Sequence, residues 1–107
     1  MATICKDFEI AAPPAKVWDA LRDVMALHTR LAPGFVTNTQ PDGDVRIVTF
    51  GNGVVARERI IAVDEELKRV AYAIVDGQLS HHSASAQIFP LSETRTRFLW
   101  IADLKPD

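Results

Sequence analysis

The segment Val54-Val55-Ala56-Arg57-Glu58-Arg59-Ile60-Ile61-Ala62-Val63 decides how the chain is read. It is rich in β-branched residues, which favour strands, and successive side chains of a strand point to opposite faces. One face carries Val55, Arg57, Arg59, Ile61 and Val63; the other carries Val54, Ala56, Glu58, Ile60 and Ala62. Two arginines are harder to bury than one carboxylic acid. The second set is therefore predicted to face inward and to take Glu58 with it.

Further strands lie on both sides, separated by turn residues. Before it come residues 35–39, a turn at Pro41-Asp42-Gly43, residues 45–50 and a turn at Gly51-Asn52-Gly53. After it come a charged turn at Asp64-Glu65-Glu66, residues 68–75, a turn at Asp76-Gly77, and strands over 80–89 and 94–104. The N-terminal third reads differently. Residues 3–10 alternate as a strand and stop at Ala11-Ala12-Pro13-Pro14, where proline can open a helix at its first turn. Val17, Trp18 and Leu21, continued by Val24, Leu27 and Leu31, form an apolar stripe at helical spacing until Pro33-Gly34 interrupts it. The pattern predicts one helix or two short ones after the first strand of an antiparallel meander, an α+β architecture of about six to seven strands.

The parity test extends to the later strands. Val70, Tyr72 and Ile74 share a face, as do His82, Ala84, Ala86 and Ile88, while Phe98, Trp100, Ala102 and Leu104 form the bulkier parity of the last strand. The inward set thus mixes large residues with five alanines, Ala56, Ala62, Ala84, Ala86 and Ala102. Interiors pack densely, so the room that small side chains leave must be filled by another element, a ligand or water. The expectation is a cup for a hydrophobic small molecule; alanines that simply let a helix approach closely are the alternative.

Composition narrows the function classes. The chain has 107 residues, 48% hydrophobic and 24% charged, which suits one folded domain spanning residues 1–107. With a formal net charge of −2 and no run of lysine or arginine, it lacks the electrostatic source of nucleic-acid affinity. Lys6, Asp7 and Glu9 interrupt the apolar residues of the N-terminus, unlike a signal peptide, and no stretch reaches the length of a membrane span. A lone Cys5 is compatible with a reducing compartment, so a cytoplasmic location without stable membrane insertion is the expectation.

The order strand, two short helices, then antiparallel strands resembles the helix-grip fold of the START/Bet v 1-like superfamily. Phe8-Glu9-Ile10-Ala11-Ala12-Pro13 followed by Val17-Trp18 looks like its opening, and Arg22-Asp23 with Pro33-Gly34 matches the end of its helix pair. Glu58-Arg59-Ile60, then Asp64-Glu65-Glu66, then Tyr72-Ala73-Ile74-Val75-Asp76-Gly77 resembles its polyketide cyclase/dehydrase and abscisic-acid receptor branch. The resemblance covers residues 3–104 and implies that Glu58, Tyr72, Ile74, Ala84 and Ala86 line a ligand cavity. Two departures stand out. The superfamily closes its cup with a long C-terminal helix, which this chain lacks, so the expectation is a truncated domain or a homodimer that covers the open face. The receptors' histidine-arginine-leucine latch would fall at Leu79-Ser80-His81 and does not match, so hormone-style gating does not carry over.

The expected ligand-binding set is Ala56, Glu58, Ile60, Tyr72, Ile74, His82, Ala84, Ala86, Phe98 and Trp100. Glu58 facing an apolar cavity could orient a ligand or move a proton, and the Tyr72 hydroxyl could fix a polar ligand atom. His81 and His82 point to opposite strand faces and do not make a metal pair. No cofactor is expected, and no nucleophile motif is present. The leading function is a binding or carrier protein for a lipid, isoprenoid or polyketide-like compound. A cyclase, aromatase or dehydratase, and an interaction module using the inner sheet, are the alternatives.

Overall fold

The computed structural model describes residues 2–31, 34–75 and 79–106; Pro33 and the expected Asp76-Gly77 turn lie outside them. Seven antiparallel strands form one curved, open sheet: β1 (Ala2–Ile10), β2 (Val36–Asp42), β3 (Val45–Phe50), β4 (Val55–Asp64), β5 (Arg69–Ile74), β6 (Leu79–Pro90) and β7 (Thr96–Pro106). Their spatial order is β1-β7-β6-β5-β4-β3-β2. The meander from β2 to β7 is thus sequential, and β1 closes onto the last strand. Helix α1 (Pro14–Arg22) follows β1, and a 3₁₀ turn (Val24–Ala26) runs directly into a π-helical turn (Leu27–Leu31).

The start of α1 follows from its prolines. Pro13 is extended at φ −60° and ψ 142°, and its carbonyl accepts the N–H groups of Lys16 and Val17. Pro14 occupies the first turn, where a missing N–H costs nothing. Val17, Trp18 and Leu21 then fall on one buried face and pack with Val70, Ala86, Ile88 and Phe98 from the concave side of the sheet. Glu65, in the β4–β5 turn, holds the helix in place: its carboxylate accepts the Trp18 indole N–H at 2.6 Å and the Arg22 Nε–H at 2.7 Å. Those two bonds hold the Glu65 carboxyl below the usual carboxylate range. Thr96 is fully buried and donates to the Ala12 carbonyl at 2.8 Å, tying the β1–α1 link to β7.

Three expectations need correction. Pro41 and Asp42 belong to β2 rather than to a turn. Because β2 is an edge strand, it tolerates a residue with no N–H to donate, and the chain reverses at Gly43, whose φ of +64° suits glycine. The second correction concerns Ala62. A bulge lies between the Ile60↔Tyr72 and Ala62↔Ala71 pairs, so one extra residue enters β4 and inverts the parity beyond it. Ala62 consequently lies on the outer face and is exposed. Ala56, Ala84, Ala86 and Ala102 are buried on the inner one. Within the regular strands the parity holds, whereas Val54, which precedes β4, is exposed rather than inward. Arginines on the outer face find partners there: Arg57 with Asp42 at 2.8 Å, Arg95 with Glu9 at 2.6 Å and Arg97 with Asp7 at 2.7 Å.

Candidate functional site

Between the concave sheet and the helical segments lies a cavity of about 610 Å³, within the size range of small-molecule sites. Leu21, Leu27 and Leu31 form its helical wall; Val70, Ala86 and Phe98 belong to the sheet beneath. Phe35 and Phe50 meet edge to face at 5.6 Å on the side of the β3–β4 turn. Along β1 the cavity is more open, and Phe8, stacked on Phe98 at 5.1 Å, remains 48% exposed.

Polar chemistry is concentrated on β3, β4, β5 and β7. Arg46 stands directly opposite Glu58 in the β3–β4 register, and its Nε–H donates to Glu58 Oε1 at 2.8 Å. Both side chains are almost wholly shielded from solvent, at 6% and 7% exposure. Arg46 Nη1 also donates to the Val24 carbonyl at 3.2 Å, and the guanidinium lies 4.8 Å from the centre of the Tyr72 ring. Burial raises the Glu58 carboxyl above its ordinary value, and the charge and hydrogen bond of Arg46 offset this only in part.

The Tyr72 hydroxyl accepts the Trp100 indole N–H at 2.8 Å, which leaves the hydroxyl's own proton without an acceptor among the described residues. Burial, and then the negative charge of Glu58, raise the Tyr72 pKa, so it stays a donor. His82 performs a backbone task. The β5–β6 register runs from Arg69↔Gln87 to Tyr72↔Ala84, and beyond it the Ile74 N–H donates to His82 Nδ1 at 3.0 Å. The neutral ring therefore carries its proton on Nε2. Burial, then the neighbouring His81, hold the His82 pKa below its ordinary value.

Of the residues expected to form the site, Glu58, Tyr72, Ile74, His82, Ala86, Phe98 and Trp100 meet around this cavity. Ala56, Ile60 and Ala84 do not reach its wall. Ala56 is buried opposite Val48, Ala84 is buried between Tyr72 and Ala102, and Ile60 sits opposite Tyr72 next to the bulge. Arg46 and Lys6 escaped the sequence reading. A signal for Arg46 existed: alternation puts it on the face of Val48, and a buried carboxylate calls for a counter-charge. Among the described residues no three His, Cys, Asp or Glu side chains cluster to hold a metal ion, and no helix is long and apolar enough to cross a membrane.

An open antiparallel sheet gripping a short helix pair over an apolar cavity defines a protein of the helix-grip fold, the fold of START/Bet v 1-like structures. The chain belongs to the polyketide cyclase / dehydrase and lipid transport family, whose model matches residues 1–107. It is 31% identical over 84 residues to MLP-like protein 423 of Arabidopsis thaliana; the match takes in 68% of this chain and 54% of the relative, so the chain spans about half of that protein. Its fold is similar to a START superfamily protein from Mycobacterium smegmatis, with a TM-score of 0.77 and 13% identity over 98% of this chain and 77% of that one. It is also similar to norcoclaurine synthase of Thalictrum flavum in complex with dopamine and hydroxybenzaldehyde, with a TM-score of 0.77 and 17% identity over 96% and 68%. Family and fold together support a role in binding a hydrophobic ligand.

Proposed function

We propose that this chain is a binding or carrier protein for a lipid, isoprenoid or polyketide-like molecule held between the helical segments and the concave sheet. The observation that carries this reading is the cavity itself: about 610 Å³, walled by leucines and phenylalanines, with a few convergent polar groups on one side. Apolar walls supply affinity without direction. The Tyr72 proton and the Arg46–Glu58 pair supply direction, because a ligand oxygen placed there satisfies a donor that has no acceptor among the described residues. Native mass spectrometry of freshly purified protein tests the reading. A co-purifying small molecule released by denaturation is expected; a protein that carries none and fails to take up the apolar dye Nile red would refute it.

The second reading is a cyclase- or dehydratase-type enzyme, favoured by the presence of Glu58, Tyr72 and His82 around one cavity. Glu58→Gln separates the two. Glutamine can still accept the Arg46 N–H, so a carrier keeps its ligand, whereas an enzyme that moves protons through this carboxyl loses turnover.

A further inference from the structure

Among the described residues three charged side chains line the cavity: Lys6, Arg46 and Glu58. Arg46 and Glu58 compensate each other at 2.8 Å, so among these three the positive charge of Lys6 is the one left uncompensated. Its position follows from the register of β1. Lys6 lies opposite Trp100, between the Ile4↔Ala102 and Phe8↔Phe98 pairs, on the concave side of the sheet. The outer face of the same strand is different in kind: Asp7 and Glu9 are matched there by Arg97 and Arg95 at 2.7 and 2.6 Å. Among the described residues Lys6 has no carboxylate partner. The Trp100 side chain beside it donates to the Tyr72 hydroxyl, whose own proton is unspent. The open side of the cavity thus offers donors and positive charge against an apolar interior.

Resting on the reading of this cavity as a ligand site, we propose that its ligand is an apolar monocarboxylate, with the hydrocarbon among the leucines and phenylalanines and the carboxylate at Lys6. A lysine on an edge strand also discourages edge-to-edge pairing, but that role gives no reason to prefer an acid over its ester. Nile red bound to the full chain is displaced with dodecanoate or its methyl ester, and with naphthoate or its methyl ester. The experiment is run on the wild-type chain, Lys6→Met and Lys6→Arg. At least one acid is expected to bind about tenfold more tightly than its ester, as a charge-assisted contact implies. Lys6→Met should bring acid and ester to within about twofold while still binding Nile red, Lys6→Arg should keep the preference, and added salt should weaken it. Equal binding of acid and ester by the wild-type chain, or an undiminished preference in Lys6→Met, overturns the proposal and leaves the cavity reading intact. Failure of Nile red and all four compounds to bind overturns both.

Discussion

His82 has one ring nitrogen already committed, since Nδ1 accepts the Ile74 N–H at 3.0 Å. A second proton could enter only at that nitrogen and would set a donor against a donor. Burial, with His81 as the lesser cause, depresses the folded pKa below the ordinary 6.5. A histidine shifted in that direction stabilises the fold above its unfolded pKa, and the contribution is lost as pH falls, because the unfolded chain takes up the proton first. As pH falls below the ordinary 6.5, the protection of the Ile74 amide against hydrogen exchange should therefore decline. His82→Gln, which offers a carbonyl acceptor that does not titrate, should flatten that decline. Nuclear magnetic resonance exchange measurements on both proteins check it, and identical pH profiles would contradict it.

The β3–β4 pair raises a different question, that of a salt bridge set into an apolar wall. Both members are nearly excluded from water, and desolvation outweighs attraction enough to raise the Glu58 carboxyl. For this group the usual carboxylate sign is reversed: its contribution is favourable below the ordinary 4.5 and is lost as pH rises through the folded pKa. Removing one partner strands the other. Glu58→Ala is expected to cost about 3–5 kcal/mol in urea unfolding, whereas Arg46→Met with Glu58→Leu should recover most of that loss. A single variant as stable as the wild-type chain would show that water or a rearranged neighbour replaces the missing partner.

Across the whole molecule, the cavity lies where the concave sheet faces the leucines of the helical segments, and a small residue on that sheet keeps part of it open. That residue is Ala86, buried against α1 yet still part of the cavity floor. Ala86→Phe should fill the space, abolish Nile red uptake and change stability by no more than the 1–3 kcal/mol typical of overpacking, about the range seen when methylenes are added to a packed core. A ligand present at about 100 times its Kd should stabilise the wild-type protein by about 2.7 kcal/mol and leave the filled variant unmoved. Thermal unfolding with and without the dye reads both effects. Uptake that survives the substitution would move the binding site away from this floor.

Strand alternation alone was enough to place Glu58, Tyr72, His82 and Phe98 on the concave face, because side-chain direction in a regular strand depends only on counting. Turn residues and the prolines at 13 and 14 likewise marked most element boundaries, since their effects are local. Counting failed where tertiary pairing intervened. The bulge after Ile60 sent Ala62 outward, and it arises from how β4 meets β5 rather than from any residue in it. The partnership of Arg46 with Glu58 and the isolation of Lys6 opposite Trp100 depend on register between strands, as does the surrender of His82 Nδ1 to the Ile74 backbone. Sequence therefore determined which face of a regular strand each side chain takes, a one-strand property. Only the folded sheet decided which of them are already satisfied and which remain available to a ligand, because satisfaction belongs to pairs that no single strand contains.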